Sequence, residues 1–162
     1  MNSIILCGFM GAGKSSVGEE LANRHNLRFI ETDEYIEKMQ NMTIKEIFEK
    51  YGEDYFRDLE NKVCMEISNS ENCIVSTGGG LMTYKRNSDL LKDNVVIFLD
   101  SSFEKICERL KNDNTRPLFQ NLENAKKLYD KRKSIYKDVS NFTIDADGTI
   151  DECVKKTEEL VF

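Results

Sequence analysis

Basic charge, proline, paired cysteines and long apolar runs are all scarce in this 162-residue sequence, and each scarcity removes a class of function. The formal net charge is −6, whereas a protein that wraps duplex nucleic acid needs a dense positive surface to displace counterions. Any anionic ligand must instead be met by a local cluster of Arg and Lys. The five cysteines, Cys7, Cys64, Cys73, Cys107 and Cys153, are odd in number and contain no CxxC pair. That pattern argues against a disulfide framework or a zinc site and for reduced, partly buried thiols in a cytoplasmic protein. No apolar run approaches the length of a membrane span, and the first residues lack the basic-then-apolar order of a secretory signal, so neither a membrane nor an export role is expected. The only proline, Pro117, sits in the polar stretch NDNTRPLFQN at 112–121, which reads as an exposed loop between two helical patterns at 102–111 and 123–138. Repeats, low-complexity segments and interdomain linkers are absent too, and the length suits one compact domain.

What is present is a set of short apolar runs rich in β-branched residues: SIILC at 3–7, CIVS at 73–76 and VVIFL at 95–99, with shorter candidates RFIET at 28–32 and FTIDA at 142–146. Continuous apolar runs separated by helix-like stretches indicate a parallel sheet covered on both faces, hence a doubly wound α/β domain. Between residues 43 and 70 the apolar positions recur at helical spacing, and Gly52 interrupts them, which predicts two helices with a bend. This interval exceeds what a minimal crossover needs and is expected to form a small subdomain. Asp33 reads as the N-cap of a helix over EYIEKM, and His25, the only histidine, as a helix-end residue.

The stretch GFMGAGKSS at 8–16 follows the first apolar run and precedes the helical segment VGEELANRH. Gly8, Gly13, Lys14 and Ser15 fit the phosphate-loop pattern G-x-x-x-x-G-K-[ST] in the strand-then-helix context that it requires. Chance would produce the pattern in about half a percent of chains this long. In such a loop the backbone N–H groups turn inward around phosphate oxygens, Lys reaches the β and γ phosphates, and Ser ligates Mg²⁺. Gly11, Ala12, Gly13, Lys14, Ser15 and Ser16 are therefore the expected nucleotide-binding residues. The chain has no NKxD-like guanine-reading sequence, and no second domain for hydrolysis to move, so a kinase of small molecules fits better than a switch or motor.

Six motifs in order, GFMGAGKSSVG at 8–18, ETD at 31–33, FRDLE at 56–60, STGGG at 76–80, RPL at 116–118 and RKSIY at 132–136, together resemble the shikimate kinases, and the resemblance runs through essentially the whole chain. It implies a nucleoside-monophosphate-kinase type of P-loop fold, a five-stranded parallel sheet of order 2-3-1-4-5. One domain over 1–162 would then carry a substrate-binding helical region at 32–61 and a lid at 112–123. The implied reaction passes the γ-phosphoryl group of ATP to the 3-hydroxyl of shikimate, with Mg²⁺, in a monomer. Shikimate is a carboxylate on a hydroxylated ring, and Arg suits a carboxylate better than Lys because its fork makes two parallel bonds.

By the same resemblance Arg57, Arg132, Gly78, Gly79 and Gly80 bind shikimate, the glycines by giving it access to backbone N–H groups. Asp33 orients the reacting hydroxyl and accepts its proton. Lys14 and Arg116 stabilise charge on the transferring group, Arg109 packs near the adenine, Ser15, Glu31 and Ser76 serve the metal, and Glu60 orients Arg57. Taken singly, Arg57, Glu60, Arg109 and Arg132 would read as solvated helix-face charges. The chain departs from the family at two places. Glu31 stands where an Asp is usual, so its longer carboxylate must fold back or the metal's water shell must shift. DADGTIDE at 145–152 lacks the Arg or Pro expected against the adenine, which predicts loose base selectivity. The competing readings are another small-molecule kinase of this fold, such as a gluconate kinase or a nucleoside-monophosphate kinase, and a non-catalytic ATP-binding sensor.

Overall fold

The computed structural model describes residues 1–111 and 121–162. Five parallel strands, β1 (Ile4–Cys7), β2 (Arg28–Glu31), β3 (Cys73–Ser76), β4 (Val95–Asp100) and β5 (Phe142–Asp145), lie in the order β2-β3-β1-β4-β5. Each falls on one of the five predicted runs. The described residues also form helices α1 (Lys14–His25), α2 (Thr32–Gln40), α3 (Ile44–Tyr51), α4 (Glu53–Ile67), α5 (Lys85–Leu91), α6 (Phe103–Leu110), α7 (Leu122–Val139) and α8 (Ile150–Val161), with a 3-10 turn at Leu81–Thr83.

Alternation along the strands divides the core into two layers. Ile5, Cys7, Val75, Val96 and Phe98 point to the side covered by α4 to α7, while Ile4, Leu6, Ile74, Ile97 and Leu99 point to the side covered by α1 and α8. A strand covered on both faces leaves little place for a polar side chain before its end at the cleft, which is why these runs are almost continuously apolar. Full burial of each such side chain contributes about 1.5 to 3 kcal/mol. Gly52 separates α3 from α4 at φ 84° and ψ 175°, a conformation that L side chains rarely adopt, so the predicted bend lies where glycine allows it. No helix among the described residues is long and apolar enough to cross a membrane.

One helix start differs from expectation. The cap of α2 is Glu31, whose Oε1 accepts from Asp33 N at 3.3 Å and Oε2 from Glu34 N at 2.8 Å, while Asp33 lies within the first turn. The extra methylene of Glu lets the carboxylate fold back over the N–H groups of the helix that follows it. Glu31→Ala is therefore expected to lower stability by about 0.5 to 2 kcal/mol, a fall of a few degrees in melting temperature. Thermal denaturation of the two proteins checks this.

Candidate active site

The sheet order decides which residues meet. In the β2-β3-β1 order Ser76 lies between Leu6 and Glu31, its register partners. The carboxyl-terminal ends of three strands that are distant in sequence therefore open on one edge, the usual place for a ligand crevice in a doubly wound sheet. The cleft there, about 200 Å³, is lined by Gly11, Gly13, Lys14, Ser15, Ser16, Glu31, Asp33, Ser76, Gly78 and Gly79 among others.

Its floor is the loop between β1 and α1. Lys14, the first residue of α1, is buried, and its ammonium donates to Gly8 O at 2.7 Å and Phe9 O at 3.0 Å, which folds the side chain back across the loop. Ser15 and Ser16 follow on the exposed first turn, at the positive end of the helix. Ser15 Oγ lies 3.3 Å from Ser76 Oγ. Glu31 completes this corner, and burial raises its carboxyl above the usual carboxylate range; the N–H groups of Glu34 and Asp33 oppose that rise, and the Asp33 charge adds to it.

The wall is the turn Ser76–Gly80, held at both sides. Thr77 donates from its N–H and its hydroxyl to Leu6 O, and the Tyr136 hydroxyl donates to Gly79 O. Gly78 N–H donates to Thr32 Oγ1 at 2.9 Å, so this N–H is engaged with the protein rather than offered to a ligand. What glycine supplies here is room. A Cβ on Gly78 would lie 2.7 Å from Asp33 Oδ1, one on Gly79 3.3 Å from Arg132 Nη1, and one on Gly80 2.5 Å from Arg57 Nη1. Three successive glycines thus face the acid and the two arginines that the resemblance groups around one substrate, and a Cβ at Gly78 or Gly80 would force its neighbour to shift.

Arg57 projects from α4 with its side chain 13% exposed and donates from Nη1 to Glu60 Oε1 at 2.7 Å. Its guanidinium lies 5.3 Å from the Phe56 ring centre and 5.2 Å from that of Tyr84. Glu60 is 1% exposed. Burial pushes its carboxyl up to about 7 despite the lowering influence of Arg57, and Asp33 adds to the rise. These are not solvated helix-face charges. Arg132 reaches the same turn from α7 and lies close enough to Tyr136 to oppose the strong rise that burial imposes on that phenol.

Arg109, on α6, points to the opposite side of the phosphate loop, toward the turn after β5. Arg116 and residues 112–120 of the expected lid lie outside the described residues; Leu122 and Glu123, its last two, open α7. His25 ends α1, stacked on Phe162 at 3.6 Å and bonded to Glu158, at the opposite end of the helix from the phosphate loop. The residues that sequence reading did not single out are Thr32, Tyr84 and the hydroxyl of Tyr136. Thr32 lies within the ETD motif and Tyr136 closes the RKSIY motif, but the contacts that they and Tyr84 make join elements distant in sequence, which residue spacing does not signal.

A phosphate loop at the head of a 2-3-1-4-5 parallel sheet, faced by an acid and two arginines around a glycine turn, defines a P-loop kinase built for a small anionic acceptor. The family model "Shikimate kinase" matches residues 10–161. A shikimate kinase of Sulfurihydrogenibium sp. is 47% identical over 149 residues, 91% of this chain and 89% of that protein. Among solved structures, shikimate kinase from Acinetobacter baumannii in complex with shikimate superposes with a TM-score of 0.93 at 33% identity, covering 99% of this chain and 93% of that one. The chain belongs to the shikimate kinase family. A gluconokinase from Sinorhizobium meliloti, at 21% identity and a TM-score of 0.59 over 96% of this chain and 88% of that one, shares the fold alone.

Proposed function

We infer that this chain is a shikimate kinase that transfers the γ-phosphoryl group of ATP to the 3-hydroxyl of shikimate, giving shikimate 3-phosphate and ADP. The observation that carries the reading is the convergence of Asp33, Arg57 and Arg132 on three adjacent glycines at the mouth of the phosphate-loop cleft. The donor is ATP, cradled by Gly11, Ala12, Gly13, Lys14, Ser15 and Ser16, with Arg109 on the adenine side. Arg57 and Arg132 hold the shikimate carboxylate beside Gly78, Gly79 and Gly80, and Asp33 orients the acceptor hydroxyl and takes its proton. Lys14 and Arg116 stabilise charge on the transferring group. The whole of 1–162 works as one domain, with 32–61 as the substrate region and 112–123 as the lid.

The metal-facing oxygens fit Mg²⁺. Ser15 and Ser76 hydroxyls lie side by side with Glu31 in the same cleft, a set of hard oxygen donors. Among the described residues no three His, Cys, Asp or Glu side chains cluster as a closed cage. Such an open set suits an ion that keeps several waters and takes its other ligands from the nucleotide phosphates. Bound there, Mg²⁺ would offset charge on the β and γ phosphates. We place the protein in the cytoplasm as a monomer; its five cysteines are all free thiols, which suits a reducing compartment.

A coupled ADP-release assay with MgATP and, in turn, shikimate, gluconate, a nucleoside monophosphate or no acceptor tests the reading. Release with shikimate alone supports it; release with gluconate alone would replace the acceptor, and ATP binding without release would favour a sensor. Arg132→Ala is expected to raise the KM for shikimate about tenfold to a hundredfold, the loss of a charge-assisted pair, while the KM for ATP changes little. An equal rise in both would place Arg132 outside the acceptor site.

A further inference from the structure

The last turn of α6 is built against the phosphate loop. Arg109 Nη1 donates to Gly11 O at 3.1 Å and to Ser101 Oγ at 3.0 Å, and Nη2 donates to Ala146 O at 2.6 Å and Gly148 O at 3.3 Å. One planar fork therefore ties together the phosphate loop, the end of β4 and the turn after β5. The apolar residues on either side of Arg109 press on the same glycine: a Cβ on Gly11 would lie 2.9 Å from Leu110 Cδ1 and 3.4 Å from Ile106 Cγ2. Gly11 stands at φ 81°, so both its conformation and its contacts exclude a larger residue.

Ser101 is the fixed point of this arrangement. It is 2% exposed. Its hydroxyl accepts from Arg109 and donates to Ala146 O at 3.2 Å, and its carbonyl accepts the Tyr129 hydroxyl at 2.7 Å. Ala146 O consequently receives both the serine and the arginine. In the turn 145–152 there is no cationic side chain toward the nucleotide, but its two carbonyls bring the Arg109 guanidinium to that place from α6.

The Gly11–Ala12 peptide unit is held at both ends. Its carbonyl accepts from Arg109, and its N–H donates to Phe9 O at 3.1 Å. In a loop that binds phosphate through an array of backbone N–H groups, the direction of each peptide plane decides which groups face the anion. We propose that Arg109, anchored by Ser101, is a positioning residue for the phosphate loop: it sets the Gly11 peptide and thereby the affinity for the triphosphate, independently of any contact it makes with the base. Lys cannot substitute, because a single ammonium cannot span three segments as the planar fork does.

The inference rests on the nucleotide-binding part of the reading above and not on the identity of the acceptor. The test is isothermal titration of the whole protein and its variants with inorganic tripolyphosphate and Mg²⁺, which has no base to stack, alongside ATP and, separately, shikimate. Arg109→Ala and Arg109→Lys are expected to weaken tripolyphosphate about tenfold to a hundredfold, as for bonds from a charged group, and ATP at least as much. Ser101→Ala, a milder change at a buried position that touches no ligand, is expected to weaken tripolyphosphate about threefold to tenfold. Shikimate affinity should be unchanged in all three.

Loss of ATP affinity with tripolyphosphate unaffected would overturn the proposal and leave Arg109 a base contact only. A parallel loss of shikimate affinity would overturn it as well, since general disruption then suffices. A wild-type protein that binds ATP but no tripolyphosphate would defeat it before any variant is made, while a wild-type protein that binds neither would instead sink the reading of the loop.

Discussion

Asp33→Asn is expected to lower kcat by about 10² to 10⁴-fold while ATP binding and the melting temperature stay close to wild type. Asn keeps the size of the side chain and one acceptor oxygen but has neither the charge nor the basicity to take the hydroxyl proton. The space around Asp33 is bounded by Gly78, where even a methyl group would press on Oδ1, and Asn, of the same volume as Asp, fits it. The α2 cap is supplied by Glu31, and Asp33 contributes only its backbone N–H to it, which Asn retains. The variant thus separates chemistry from folding. Steady-state kinetics with both substrates varied, together with ATP titration, measures it. A kcat within about tenfold of wild type would remove Asp33 from the proton path, and a large rise in the ATP Kd would show that it serves the nucleotide instead.

That Asp33 shares a cleft with the phosphate loop was legible through the resemblance, but how it is held was not. The strands could be read because a parallel sheet covered on both faces demands unbroken apolar runs, and Gly52 could be read because a local conformation demands it. The Glu31 cap could not be read with the same ease: a Glu immediately before a helix is an uncommon cap, and Asp33 satisfied the ordinary pattern. Contacts across crossovers were hidden altogether. Thr32 meets Gly78 because β2 pairs with β3, and Arg109 meets Gly11 because β4 lies beside β1. Neither pairing has a signal in the spacing of the residues involved. Order along the chain could suggest that Arg57, Arg132 and Asp33 share a ligand; only the sheet order explains why they face three consecutive glycines.

Arg57→Ala should be costly for a reason beyond the acceptor carboxylate. Glu60, 1% exposed, would lose the guanidinium that lies 2.7 Å away, and breaking a buried pair from one side costs about 3 to 5 kcal/mol. In a chain of this size that corresponds to a fall of roughly 6 to 20 °C in melting temperature. The size of the loss depends on pH, and its sign follows from the carboxyl. Glu60 already titrates near 7 in the folded protein, against an ordinary value of 4.5, because burial outweighs the lowering influence of Arg57. Removing Arg57 raises it further. A carboxyl whose folded value lies above its unfolded one holds its proton in the native state, so its penalty is absent below about pH 4.5. The penalty grows as pH rises through 7 and levels off only above the variant's own raised value. Melting curves should therefore show a small deficit at pH 5 and a large one at pH 8. Glu60→Gln in the same background should flatten that dependence and recover part of the stability, because a neutral amide can remain buried where a lone carboxylate cannot. The KM for shikimate should stay high in both variants, since neither restores the fork at Gly80. An equal deficit at pH 5 and pH 8 would mean that Glu60 is not the group that Arg57 holds.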